Sequence, residues 1–268
     1  MKVCLLGGNG YLGPWVVEEL EAHGDYELRI TDLTLPSKSP HETMQVDISD
    51  IDQVRRAAEG CDVIVNCSVL RPHRKLAWDV NTLGTYNALR AAVDLGHSRF
   101  INTGPHFAVT GKPYHTYDFG IVEEVPAHSG TDLYALSKAA GQEICRLFAE
   151  QHPIHVLCML FLNFRPAHPD DPRWAKLWEQ IRRRRRLGRR RFRGPRDLIP
   201  FAITFPDAAR AIRCALEADT HKLPSRNEIF FATADLPHGK YSNAKARRLL
   251  GFQPQDTLEV YYRESLKT

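Results

Sequence analysis

Along the first 160 residues, short apolar runs alternate with stretches whose apolar positions recur at helical spacing. Lys2–Leu6, Glu27–Thr31, Thr43–Val46, Asp62–Asn66, Arg99–Thr103 and Ile154–Leu160 all have strand length. Between them lie helical segments. One follows Gly13 with Trp15, Val16, Val17 and Leu20 on its apolar positions, and one runs from a cap at Asp50 to Gly60. A longer one covers Leu76–Leu95 with Gly96 past its end, and a fourth runs from a cap at Thr131 or Asp132 to about Gln151. Gly104-Pro105-His106 is expected to break the fifth strand. Alternation of this kind predicts an α/β fold: a Rossmann-like, doubly wound parallel sheet with helices on both faces. After residue 160 the pattern changes. Pro166, Pro169 and Pro172 predict a loop, and Trp174, Leu177, Trp178 and Ile181 form a helical stripe. Pro206–Ala218 and Ser242–Leu250 read as helices, Asn227–Phe231 as a strand, and Leu258–Leu266 as a last helix. The expected division is a nucleotide-binding domain over 1–160. Residues 161–268 are expected to form mainly a small C-terminal lobe, with returning elements that complete the fold.

The first strand runs straight into Gly7-Gly8-Asn9-Gly10-Tyr11-Leu12-Gly13 and then a helix. Glycines at 7, 10 and 13 fit a tight turn, close approach of backbone to a pyrophosphate, and close packing of helix on strand. The helix N-terminus offers free N–H groups to phosphates, and Pro14 fits its first turn. The backbone of Gly7, Asn9, Gly10, Tyr11, Leu12 and Gly13 is therefore the candidate phosphate cradle. Asp32 ends the second strand nineteen residues after Gly13. A dinucleotide fold places there the acid that binds the adenosine ribose. Asp32, Asp47, Ser68 and Thr103 all fall at strand C-termini, where ligands of such sheets bind.

Composition narrows the setting. No apolar run approaches the roughly 18 residues of a membrane span, so no membrane association is expected. The sequence opens directly on its expected first strand, so no signal peptide is expected. The six cysteines lack C-x-x-C spacing, and most of them, in apolar segments, read as small buried hydrophobes in a reduced setting. A cytoplasmic setting and no bound metal are expected. The net charge of +4 hides an asymmetry: residues 182–196 hold ten Arg and no acid, so the rest of the chain carries −6. That segment is expected to bind phosphate or another polyanion, or to be a solvated face.

Tyr134-Ala135-Leu136-Ser137-Lys138 puts a phenol and an ammonium four residues apart on one helix face. A free tyrosine ionises at roughly pH 10. A neighbouring Lys⁺ and a positive nicotinamide ring favour phenolate, which suits Tyr134 to proton exchange near neutrality. Lys138 also has the reach to donate to a nicotinamide ribose.

With these residues the chain resembles the extended short-chain dehydrogenase/reductases, in particular NAD-dependent epimerases and dehydratases. The likeness runs through Gly7–Gly13, Asp32, Asp47-Ile48, Asn81–Thr85, Tyr134–Lys138, Phe205–Ala211 and Ala246–Pro254. Ser68–Pro72, Thr103–His106 and Glu124–Pro126 are similar to uronate dehydrogenases. The resemblance implies NAD as cofactor, Asp47 and Ile48 flanking the adenine, and Cys67 and Ser68 beside the cofactor. It implies Asn81 supporting the active-site helix, and Ser68, His106 and Asn163 facing the substrate. Where relatives carry a serine for the reacting oxygen, this chain has Gly104 and Pro105. Thr103 is the nearest replacement and His106 the next. The arginine and serine that uronate enzymes use for a carboxylate are also missing. The implied activity is hydride transfer at a hydroxyl of a sugar or sugar nucleotide, with a homodimer as a candidate assembly. A uronate or aldose dehydrogenase, and an NAD-binding sensor or scaffold without turnover, stand as alternatives.

Overall fold

A computed structural model describes residues 1–70, 74–110, 120–161, 163–167, 170–173, 175, 201–236 and 239–259. The Trp174–Ile181 stripe lies outside the described residues except for Ala175, and the arginine-rich segment and most of the expected last helix lie wholly outside them.

The elements run β1 (Lys2–Leu6), α1 (Gly13–Ala22), β2 (Glu27–Asp32), β3 (Glu42–Gln45), α2 (Ile51–Ala58) and β4 (Val63–Asn66). Next come α3 (Arg74–Trp78), α4 (Gly84–Asp94), β5 (Arg99–Pro105), α5 (Leu133–Gln151) and β6 (His155–Phe161). The chain continues with β7 (Phe164–Arg165), β8 (Ile203–Thr204), α6 (Phe205–Glu217), β9 (Asn227–Phe231) and α7 (Ala244–Leu250). Seven strands form one sheet in the order β3-β2-β1-β4-β5-β6-β9, and every pairing is parallel. Strand order reverses between β1 and β4, which opens a crevice at their C-terminal ends.

Both sheet faces are buried, so side-chain alternation sorts each strand into two cores. Val3, Leu5, Val63, Val65, Ile101, Leu157 and Met159 face α1, α6 and α7 through Val16, Leu20, Ala208, Ile212 and Ala246. Cys4, Leu6, Ile64, Phe100, Val156 and Cys158 face α2, α4 and α5 through Val54, Ala57, Ala88, Leu89, Cys145 and Ala149. All six cysteines are free and buried. Among the described residues no helix is long and apolar enough to cross a membrane.

One expectation is refined and one corrected. The helical region expected over 76–95 is present, as α3 and α4 joined without a break by a π-helical turn at Asp79–Leu83. That turn pushes the Asn81 carbonyl toward α5, where Gly141 makes room: a Cβ there would sit 2.6 Å from the oxygen. The fifth strand also continues through Gly104 and Pro105, which pair with Leu160 and Phe161 of β6. Its pairing with β4 ends at Asn102, so beyond that point β5 has a partner on one side only. A proline, lacking an N–H, is tolerated there.

Candidate active site

The glycine turn closes on itself at the end of β1. The N–H groups of Gly7 and Gly8 both donate to the Thr31 carbonyl at 2.9 Å, and Gly10 donates to Gly7 at 3.1 Å. Gly7 has φ +78°, a conformation that side chains rarely adopt. A Cβ on Gly13 would lie 2.3 Å from the Gly8 carbonyl oxygen, so only glycine lets α1 start this close to the turn. No side chain caps the N-terminus of α1. Pro14 has no N–H, and those of Trp15 and Val16 close on the Leu12 carbonyl at 3.1 and 3.2 Å. The N–H groups of Leu12 and Gly13 therefore remain for an anion, and the turn fits a pyrophosphate. Tyr11 is exposed beside it.

Asp32 ends β2 next to this turn. Its Oδ2 accepts the Asn9 N–H at 3.1 Å, and the Asn9 amide donates to the Thr34 carbonyl at 2.7 Å. Asp47 follows β3, and its Oδ1 accepts both the N–H and the hydroxyl of Ser49, at 2.9 and 2.7 Å. Ile48 is buried, and its carbonyl accepts the Asn87 amide at 3.0 Å. These residues line the β1–β3 side of the crevice.

On the other side of the switch point, Asp132 caps α5 by accepting the Ala135 N–H at 3.3 Å. Tyr134 sits half-buried in the first turn, and Lys138 one turn further on is 4 % exposed. The Lys138 ammonium donates to the carbonyls of Ser68 and Thr103, at 3.0 and 3.2 Å. These carbonyls belong to the chain just past β4 and near the end of β5. Asn81, in the π turn, receives the Leu70 N–H at 3.2 Å and donates to the Leu70 carbonyl and the Ser137 hydroxyl, at 2.8 and 3.1 Å. It thus ties the post-β4 loop to the residue before Lys138. Burial pushes the Cys67 thiol up to about 12 despite the nearby Lys138 charge, so it stays a neutral thiol.

The Thr103 hydroxyl donates to the Asn66 carbonyl at 2.9 Å. Its lone pairs remain, but serving as donor to a reacting oxygen requires leaving that bond. His106 is 2 % exposed, stacked on Phe201 with ring centroids 4.7 Å apart and edge-on to Tyr241 at 5.0 Å. Asn163 has φ +53°, and its amide donates to the Phe201 carbonyl at 2.9 Å. Phe201 therefore joins two expected substrate residues, a contact that no local spacing announces.

Fold and site together define an NAD enzyme of the extended short-chain dehydrogenase/reductase kind. The chain belongs to the NAD-dependent epimerase/dehydratase family, whose model matches residues 3–226. It is 25% identical to an NAD-dependent glucose-6-phosphate dehydrogenase from Haloferax volcanii, over 95% of this chain and 93% of that one. A variant of uronate dehydrogenase from Agrobacterium tumefaciens, complexed with NAD, superposes with a TM-score of 0.74 at 21% identity, covering 100% of this chain and 89% of that one. A UDP-glucose 4-epimerase from Thermotoga maritima with UDP-glucose gives 0.74 at 17%, covering 99% and 100%.

Proposed function

We propose that the protein oxidises a hydroxyl of a sugar or sugar nucleotide, with Tyr134 taking the hydroxyl proton. The observation that carries this reading is Lys138 fixed on two carbonyls at the ends of adjacent strands, one helical turn from Tyr134. A buried ammonium held there favours phenolate on its helix neighbour, which makes Tyr134 a base at neutral pH. NAD, when bound, supplies the hydride acceptor. The backbone from Gly7 to Gly13 would hold its pyrophosphate, Asp32 the adenosine ribose, and Asp47 and Ile48 the adenine. Cys67 and Ser68 would flank the nicotinamide half, and Lys138 would donate to its ribose. Asn81 keeps α5 in register with the post-β4 loop. Thr103 is the hydroxyl assigned to the reacting oxygen, which it would reach by leaving the Asn66 carbonyl, and Ser68, His106 and Asn163 line the substrate side.

Residues 1–160 are assigned to the cofactor and 161–268 mainly to the substrate. The substrate is further proposed to carry phosphate, because ten arginines without an acid lie in the lobe sequence at 182–196. The glucose-6-phosphate dehydrogenase likeness supports the same reading. A homodimer is proposed through the face of the π turn, α4 and α5, where Leu83, Tyr86, Leu136 and Leu147 are exposed. Edge-to-face contact of Tyr86 and Phe148 at 5.6 Å makes these helices one surface. Sedimentation of a Tyr86→Arg, Leu147→Arg variant as a monomer, against a dimeric parent, is the outcome expected.

The test of activity is NADH formation with glucose 6-phosphate, arabinose, glucuronate and UDP-glucose. Turnover with a phosphorylated or nucleotide-linked sugar, lowered by exchanging Arg183, Arg184 and Arg185 for Gln without change in NAD affinity, is expected. Tight NAD binding with no turnover on any of them would favour the sensor.

A further inference from the structure

We propose that Asn66 is a positioning residue for Lys138, acting through the carbonyls that hold its ammonium group. This rests on the assignment of Tyr134 and Lys138 as the proton-exchanging pair.

Asn66 is the last residue of β4, 1 % exposed, and stands opposite Asn102 of β5 in the register. Its side chain makes two bonds of opposite sense. Oδ1 accepts the N–H of Ser68 at 3.1 Å, and Nδ2 donates to Oδ1 of Asn102 at 3.0 Å. The backbone donor on Ser68 fixes which end of the amide faces it. The carbonyl of Asn66 accepts the Thr103 hydroxyl at 2.9 Å. Ser68 and Thr103 are the two residues whose carbonyls receive Lys138, at 3.0 and 3.2 Å. These two supports of the ammonium thus run back to one buried residue.

The Asn66–Ser68 bond is an Asx turn, in which a short side chain imitates a backbone turn two residues on. It acts where the chain leaves β4 and loses its ladder partners, and so sets the direction of the Ser68 peptide. Among side chains of this length, only asparagine combines the acceptor for Ser68 with the donor for Asn102. Aspartate keeps the turn, since a reversed Asn102 amide can donate to its second oxygen. Alanine keeps neither bond. Without the turn Lys138 retains Thr103 but loses a fixed Ser68 carbonyl, and its charge moves relative to Tyr134. Misplacement by about 1 Å at a reacting centre costs on the order of 100-fold.

The variants are Asn66→Ala, Asn66→Asp and Asn102→Ala, in the full chain. The readouts are the pH profile of kcat with whichever sugar of the panel turns over, calorimetric NAD affinity, and the phenolate absorbance of the apoprotein less that of Tyr134→Phe. Asn66→Ala is expected to lower kcat at neutral pH by about 10–100-fold, with KM for the sugar within about threefold. The Tyr134 titration should move to higher pH and NAD affinity should fall by about three- to tenfold. Asn66→Asp keeps the turn and should restore the NAD affinity, while its added carboxylate by itself raises the Tyr134 titration. Asn102→Ala removes the strand-to-strand bond alone, so it should lower the melting temperature and leave the Tyr134 titration in place. Asn66→Ala and Asn102→Ala behaving alike would make Asn66 a strand-pairing residue and overturn the proposal. A folded Asn66→Ala protein with an unmoved titration would do the same. If Asn66→Ala does not fold, hydrogen exchange at the Ser68 amide decides: protection in both the parent and Asn102→Ala is required, and fast exchange overturns the turn itself. Full turnover by Tyr134→Phe would instead remove the catalytic assignment, leaving the Lys138 and NAD-affinity results to stand.

Discussion

The backbone N–H of Asn9, in the glycine turn, donates to Oδ2 of Asp32 at the end of β2, 3.1 Å away. The acid expected to bind the ribose is thereby tied to the loop expected to bind the pyrophosphate. Its carboxylate is fixed in place and would repel a 2′-phosphate, and no arginine follows to receive one. NAD is expected to bind at least about tenfold more tightly than NADP, a gap of roughly 1.4 kcal/mol. Calorimetry finding equal affinities would remove Asp32 from the ribose.

Gly13 and Gly8 make a second relationship with a measurable consequence. A methyl group at position 13 would stand 2.3 Å from a backbone oxygen, and backbone yields less readily than a side-chain tip. Gly13→Ala should shift the start of α1 away from the turn. Overpacking of this kind costs about 1–3 kcal/mol. NAD affinity should drop by more than the loss of melting temperature explains, because the free N–H groups of α1 move with the helix. An unchanged NAD Kd would place the phosphates elsewhere.

The chemistry is tested at three side chains. Tyr134→Phe keeps the ring and removes the proton-exchanging oxygen, so turnover should fall by about 10²–10⁴-fold while NAD binding persists. Lys138→Ala should reduce both turnover and NAD affinity. Thr103→Ala is more discriminating, because its hydroxyl already donates to the Asn66 carbonyl. If Thr103 binds the developing alkoxide, its loss costs on the order of 10²-fold in kcat. A kcat held constant, with only stability reduced, would leave Thr103 as a bond between β4 and β5. His106→Ala, losing the stack on Phe201, would then be the next variant to assay.

The parts of this molecule legible from sequence are those whose spacing is local. The glycine turn, Asp32, the Asp50 and Asp132 caps and the Tyr134–Lys138 pair each span a few residues, and their geometry follows from one turn or one helix period. The π turn at Asp79–Leu83 was hidden because one extra residue in a helical turn barely disturbs the apolar spacing around it. The extension of β5 through Pro105 was hidden because proline usually breaks a strand, and its tolerance depends on where β4 stops. The cluster of His106, Asn163 and Phe201 was hidden for another reason. The Asn163–Phe201 bond spans 38 residues, and neither end carries a pattern pointing to the other. Asn66 reads as one more polar residue at a strand end until its three bonds are seen together.

Glu123 offers a prediction about pH. It is 5 % exposed and accepts the N–H of Phe231, the last residue of edge strand β9, at 2.6 Å. A cavity of about 370 Å³ lies against it, lined also by Glu124, Glu228, Lys245 and Arg248, beside the start of β9. Lys245 is occupied there, bridging Glu124 and Glu228 at 2.9 Å each. Burial pushes the Glu123 carboxyl up to about 7, against the Phe231 bond and the Lys245 charge, which favour the ionised form. An unfolded chain releases the proton near 4.5, so between that pH and about 7 the folded state holds a proton that the unfolded state has lost. The contribution to stability is full below this window, declines across it, and is gone above about 7. Glu123→Gln stays neutral, and its amide oxygen still accepts the Phe231 N–H. Its stability should match the parent near pH 4 and exceed it at pH 8.5 by on the order of 3 kcal/mol. For a chain of this size that is a rise of several degrees in Tm. Thermal melts at the two pH values measure the difference, and a gap of equal size at both would show that Glu123 does not titrate in this window.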